Sequence, residues 1–215
     1  MNTRTIESLN FFGEITASVT HELNNVLGTI EQISGLMEDM AQTDLASNPD
    51  ASARLMNVVE RIGKQSERGS QLIGRLNAFA HLTDRDVCEC SLGPTISTIV
   101  ALSERKVRMH KATIIGDGLS QEIVVTTRPF ALVNLIYCVL KTALGLNEAI
   151  ESVTVALKPS GEGAQIEISM NGQARENLHI LDEALTAYAS GIHIEVSERV
   201  SGTDRVVSLA VPERM

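Results

Sequence analysis

ASVTHELNNVLGTIEQISGLMEDM, residues 17 to 40, places apolar side chains at Val19, Leu23, Val26, Ile30, Ile33, Met37 and Met40. The spacings alternate between four and three, which is the repeat of a helix that packs along a coiled-coil seam. No proline interrupts residues 6 to 40, so the reading is one long helix. The next segment, AQTDLASNPDAS, residues 41 to 52, is small and polar and contains Pro49, so it reads as a loop, with Asp50 able to cap a second helix. That helix is expected over residues 51 to 80, with an apolar stripe at Leu55, Val59, Ile62, Ile73 and Leu76 that Ser66 and Gly69 interrupt. Two long helices joined by a short loop make an antiparallel hairpin. An interrupted stripe does not cover a seam as long as Val19 to Met40, which implies a homodimer whose hairpins pair into a four-helix bundle.

Beyond His81 the texture changes, and LTDRDVC, residues 82 to 88, is the expected boundary between a helical domain at 1–83 and a second domain at 88–215. There the sequence alternates strand-like and helix-like runs. Strands are expected near 86–91, 112–115, 122–126, 153–158, 164–169, 192–197 and 205–211, and helices near 94–108, 129–146 and 175–188. The fold class is α+β: a helical hairpin followed by a mixed sheet with helices on one face, an α/β sandwich.

The chain has 215 residues, 43% hydrophobic and 21% charged, enough to bury a core without disulfides and too polar for a spanning helix. Its formal charge is −9 and no stretch concentrates Lys and Arg, which argues against a nucleic-acid partner. The start, MNTRTIESLNFFGEI, lacks the features of a signal peptide, and three cysteines fit a reducing compartment, so a cytoplasmic location is expected, with no membrane attachment. Cys88, Cys90 and Cys138 have no partner pairs at metal spacing, and no metal site is expected. His81, His110, His179 and His193 read as structural or surface residues.

On a helix of about 3.6 residues per turn, Glu14, Ala17, Ser18, His21, Asn24, Asn25, Gly28 and Gln32 fall on the side away from the seam. His21 therefore points at solvent among small and polar neighbours. Gly28 in mid-helix costs about 1 kcal/mol relative to Ala, which makes sense where another molecule approaches closely. An exposed imidazole with one unprotonated nitrogen is a nucleophile toward phosphorus, and Glu22 beside it can orient the ring or take up a proton. HELNN also invites comparison with the zinc motif His-Glu-x-x-His, but Asn25 stands where the second histidine would be.

FFGEITASVTHELNNVLGTI, residues 11 to 30, resembles the H-box of two-component sensor histidine kinases, whose dimerisation and phosphotransfer domain is a hairpin that pairs into a four-helix bundle. The resemblance puts His21 at the phospho-acceptor position and Glu22 at the adjacent acidic position. Asn25 falls where kinases with phosphatase activity carry Thr or Asn. Glu14, Ser18, Asn24, Gly28 and Gln32 would then form the face on which a partner docks.

The same resemblance extends to residues 88–215, whose element order is similar to that of the kinases' ATP-binding domain. RPFALVNLIYCVLKTALGL looks like the helix that carries the N-box, with Thr142 at the asparagine position and Lys141 beside it. AQIEISMNGQA is similar to the lead-in to the adenine-binding Asp-x-Gly-x-Gly motif, with Met170 for the Asp, Gly172 retained and Ala174 for the second Gly. Asn171 and Gly172 otherwise read as a turn between strand and helix. Only one helix fits between Met170 and Ile192, so a glycine-rich lid has no room.

An intact acceptor helix on a degenerate ATPase-like domain resembles the dimeric histidine phosphotransferases of the ChpT type. The resemblance implies a phosphotransferase with a phosphohistidine intermediate rather than an ATP-dependent kinase. His21 would carry a phosphoryl group between the Asp residues of response-regulator receiver domains, with no cofactor on this chain and magnesium on the receiver. Two other readings compete: a diverged sensor histidine kinase that autophosphorylates from ATP, and a non-catalytic pseudokinase scaffold.

Overall fold

The computed structural model describes residues 3–42, 49–146, 149–161, 163–172 and 178–214. Helices α1 (Thr3–Gln42) and α2 (Pro49–His81) lead the chain. Then come β1 (Cys88–Ser91), α3 (Leu92–Met109), β2 (Thr113–Asp117), β3 (Val124–Thr127), α4 (Pro129–Gly145), β4 (Ile150–Ser160), β5 (Gly163–Gly172), α5 (Glu183–Ser190), β6 (Glu195–Ser201) and β7 (Asp204–Val211). The chain forms two compact units, Gly13–Asn77 and a second made of Met1–Phe12 with Ala78–Met215.

In the hairpin unit α1 buries Ile15, Val19, Val26 and Ile33, and α2 buries Val58, Gly69 and Leu72. Val26 meets Gly69, Glu22 meets Arg68, and Leu36 and Met40 line a groove with Arg54 and Val58, so the helices run antiparallel. Three sequence expectations change here. The buried stripe of α2 is Leu55, Val58, Ile62, Gln65, Gly69 and Leu72, while Val59 and Ile73 are exposed. Gly69 is part of the seam, because a Cβ there would stand 3.3 Å from Val26 Cγ1. The centre of the Val19 seam is thus covered within one chain, and what remains exposed is a flank bearing Leu27, Val59 and Ile73. Asp50 is not a cap: Pro49 opens α2, where its fixed φ suits the first helical position, and Asp50 lies inside the first turn.

The second unit holds a five-stranded mixed sheet in the order β2-β4-β5-β7-β6 and a two-stranded ribbon of β1 and β3. In the described five-stranded sheet β2 and β4 pair in parallel and the other neighbours pair antiparallel. Val153, Val155 and Leu157 stand in register with Met170, Ile168 and Ile166, and these with Arg205, Val207 and Leu209, so all nine project from one face. That face is buried, and α3 packs against β2 and β4 on it. The alternate residues Thr154, Glu167, Ser169 and Ser208 make a polar outer face, the pattern expected of a sheet covered on one side. From α4, Leu132, Leu135, Ile136, Val139 and Leu140 are fully or almost fully buried, each stabilising the fold by about 1.5–3 kcal/mol. Phe11, Phe79, Phe130 and Tyr137 cluster with ring centroids 5.1–5.8 Å apart, so most of the few aromatics of the chain gather at one point.

Two expectations in this unit change. Residues 175–177 of the expected 175–188 helix lie outside the described residues, and residues 178–182 are not helical. The Glu198 carboxylate accepts the backbone N–H groups of Ile180 and Leu181, and α5 starts only after Asp182, whose side chain accepts from Leu185 N at 2.7 Å. Asn171 and Gly172 belong to β5 rather than to a turn. Gly172 is required by packing, since a Cβ there would strike the Ala149 carbonyl.

Candidate functional site

The seam of α1 turns toward α2, which leaves the opposite side of α1 to solvent. His21 is exposed there, with Asn24, Asn25 and Gln32, while Glu14, Ser18 and Gly28 are half-buried. A Cβ at Gly28 would touch nothing, so the hairpin's own packing does not require that glycine; the same holds at Gly13, Gly35, Gly63 and Gly74.

Asn25 lies one turn beyond His21, and its side-chain nitrogen is 3.2 Å from His21 Nδ1. When that amide N–H donates, a neutral imidazole accepts at Nδ1 and carries its proton on Nε2. Turning the amide by half a rotation presents Oδ1 instead, which holds the proton on Nδ1 and leaves the Nε2 lone pair facing solvent. One residue can thus select the tautomer of this exposed imidazole. The resemblance gives Asn25 only a position shared with phosphatase-active kinases; the geometry adds a direct contact with the imidazole.

Glu22 is turned toward the helix pair, its side chain 13% exposed, and accepts from Arg68 of α2 at 3.2 Å. Arg68 is a site residue the sequence reading missed. Nothing local marks it, because its partner is 46 positions away and is brought near only by the hairpin. The pair fixes which side of α2 adjoins the His21 side of α1.

In the other unit, the positions that the resemblance assigns to a nucleotide can be compared with what stands there. Thr142 is half-buried in the last turn of α4, Met170 is 2% exposed, and Ala174 lies outside the described residues. Met170 sits directly opposite Arg205 in the β5–β7 register. Arg205 is fully buried on the same face, donating to Leu178 O at 2.6 Å and to the Glu198 carboxylate. A thioether and a guanidinium committed to an internal carboxylate offer no acceptor for an adenine amino group. Among the described residues no group of three or more His, Cys, Asp or Glu could hold a metal ion, and no helix is long and apolar enough to cross a membrane.

No family model and no curated protein matches the chain. Solved structures do. The Acinetobacter baumannii histidine kinase AdeS is similar with a TM-score of 0.52 at 11% identity, over 90% of this chain and 98% of that one. The catalytic domain of histidine kinase ThkA gives 0.50 at 12% identity over 60% of this chain and 97% of its own. Histidine kinase ThkA in complex with response regulator protein TrrA gives 0.50 at 15% identity, over 95% of this chain and 63% of that one. At such identities the likeness establishes the fold: a helical region followed by the α/β sandwich of histidine kinases.

Proposed function

We propose that this chain is a histidine phosphotransfer protein of a two-component phosphorelay, shuttling phosphoryl groups between receiver-domain aspartates through His21 without binding ATP. The observation that carries the reading is an exposed His21 in contact with Asn25, on a histidine-kinase fold in which Met170, at the position the resemblance gives to the adenine-binding Asp, is buried opposite Arg205. With Asn25 Oδ1 accepting from Nδ1–H, the Nε2 lone pair attacks the phosphorus of an aspartyl phosphate. The P–O bond to the aspartate breaks, its electrons leave with the carboxylate, and Nδ1 keeps its proton. The reverse transfer to a second receiver uses the same atoms. This chain supplies position and the receiver supplies magnesium, so catalysis rests on alignment.

The working form is a homodimer. Leu27, Val59 and Ile73 are 57%, 49% and 58% exposed on the flank opposite the Glu22–Arg68 pair. An uncovered aliphatic flank on two helices fits pairing with a second hairpin.

The test is labelling of His21 by receiver domains phosphorylated with acetyl phosphate, in parallel with ATP and magnesium. Acceptance from at least one receiver, lost in His21→Ala with the dimer retained, is expected, together with no labelling or calorimetric binding of ATP. Labelling of His21 from ATP alone would establish a kinase, and undiminished acceptance by His21→Ala would overturn the assignment.

A further inference from the structure

Phe130 and Ala131 at the start of α4, Tyr188 and Ile192 around the end of α5, and Leu82 just after α2 wall a cavity of about 460 Å³ within the second unit. These walls are fixed by their own packing. Phe130 belongs to the aromatic cluster, its ring centroid 5.4 Å from that of Phe11 and 5.8 Å from that of Phe79. The Tyr188 hydroxyl donates to Ala131 O at 3.3 Å and accepts from Asn134 Nδ2 at 3.2 Å, and Ile192 is buried. From Phe130 to Thr142 the helix advances about 18 Å at about 1.5 Å per residue, so the cavity is remote from the α4 position that the resemblance assigns to a nucleotide.

The polar part of the lining is Ser8, Arg85, Asp86 and Arg128, with Thr83, whose hydroxyl is already given to Ala80 O. Arg128 stands out. Its side chain is 37% exposed, yet its Nε is buried and has no hydrogen-bond partner, a condition that no other charged side chain shares among the described residues. Its one ion pair among those residues is loose, Nη2 to Asp86 Oδ2 at 3.5 Å, and the Asp86 side chain is 79% exposed. Arg85 is exposed and has no carboxylate partner among the described residues. A guanidinium presents five N–H donors in a planar fork, so Arg128 is partly withdrawn from water with too few acceptors around it.

We infer that this cavity binds a small organic anion: a carboxylate or phosphate head held by Arg128 and Arg85, on a flat apolar body about the size of one aromatic ring. The inference is independent of the phosphotransfer reading and stands or falls without it. A preformed, largely apolar cavity with a few convergent polar groups is the usual form of a small-molecule site. Two guanidiniums against one carboxylate leave its polar side positive in a chain of charge −9, which selects against cations. A neutral ligand would leave the Arg128 fork short of acceptors, whereas an oxyanion brings two in the plane of the fork. Asp86 holds the place until then, and an exposed pair of this kind is weak, so an incoming anion displaces it easily. Phe130 and Ile192 give the apolar body a surface to cover, which an inorganic ion would leave bare.

The test is calorimetry on the full chain with benzoate, phenyl phosphate, inorganic phosphate and the neutral benzamide. Wild type is compared with Arg85→Gln, Arg128→Gln and Asp86→Asn, each checked for folding by circular dichroism. Saturable one-to-one binding of benzoate or phenyl phosphate is expected, with benzamide and inorganic phosphate at least about tenfold weaker. The tighter of the two aromatic anions identifies the head. Its affinity should fall about tenfold or more in Arg128→Gln, fall in Arg85→Gln, and rise about threefold in Asp86→Asn, which removes the competing carboxylate. No saturable binding of either aromatic anion at millimolar concentration overturns the proposal, as does benzamide binding as tightly as benzoate. Inorganic phosphate binding as tightly as phenyl phosphate would mean an adventitious ion only and overturns it equally. Should Arg128→Gln not fold, unchanged affinity in both Arg85→Gln and Asp86→Asn refutes the assignment.

Discussion

Replacing Glu198 by alanine strands Arg205 in the interior of the sheet unit. The Arg205 side chain is 1% exposed and that of Glu198 8%, and the carboxylate also accepts from Ile180 N and Leu181 N at 3.0 Å. The variant leaves a buried guanidinium without its countercharge and two backbone N–H groups without an acceptor. Breaking such a pair from one side costs about 3–5 kcal/mol, a large share of the roughly 5–15 kcal/mol that holds a domain together. At about 3–4 °C per kcal/mol for a unit of this size, Tm should fall by about 9–20 °C. Thermal and urea unfolding followed by circular dichroism give the value. The double variant Glu198→Leu, Arg205→Met removes both charges and should recover most of the loss, because the pair stabilises little over a well-packed apolar substitute. A Glu198→Ala protein within about 1 kcal/mol of wild type would refute the reasoning, since it would mean that water or another group satisfies Arg205.

Leu27→Asp combined with Ile73→Asp places charges on the exposed flank of the hairpin and should convert a dimer to a folded monomer by light scattering, and a wild type that is already monomeric at micromolar concentration would remove that interface. Gly69→Leu should cost about 1–3 kcal/mol by overpacking the seam against Val26, whereas Gly69→Ala should stay within about 1 kcal/mol because a single Val26 methyl can yield and helix propensity improves; equal losses for both would show that the contact is not the cause. Burial pushes the Cys90 thiol up, so the fold favours its protonated form. That stabilisation is complete below about pH 8.5, the unfolded thiol value, and is lost as pH rises toward the folded one. Iodoacetamide at pH 8 should therefore label Cys88 well before Cys90, and urea titrations should show stability declining above about pH 8.5 in wild type but not in Cys90→Ala.

The strongest periodic signals are legible in the sequence. The Val19 repeat announces a long helix, and the strands at 153–158 and 164–169 lie inside the observed β4 and β5. Residues that act through size or through distant partners are not legible in this way. Gly69 counts as a gap in any hydrophobic stripe, yet a helix can pack closest where a side chain is missing, so periodicity alone sets the stripe of α2 one position away from Val58 and Leu72. The 175–188 helix has good local propensity at its end, but its first half is held open by Glu198, a residue that the sequence places 18 positions after Ile180. His21 and Asn25 can be picked out because they sit one turn apart on a single helix. Arg68 escapes notice because Glu22 lies 46 positions away and meets it only across the hairpin.

On the proposed phosphotransfer reading, the two flanks of the hairpin would also set the valency of a dimer. A two-fold interface uses the same patch of both copies, so a dimer built on Leu27, Val59 and Ile73 turns both His21 sides outward. Such a particle would carry two candidate acceptor sites that face away from each other. A monomeric receiver would load them independently, with a stoichiometry of two. A receiver that itself dimerises could occupy both only if its own spacing spans the bundle, and where it does, the second contact becomes intramolecular and residence lengthens without any new interaction. Choice among partners could then depend on how they are paired as much as on the faces they present.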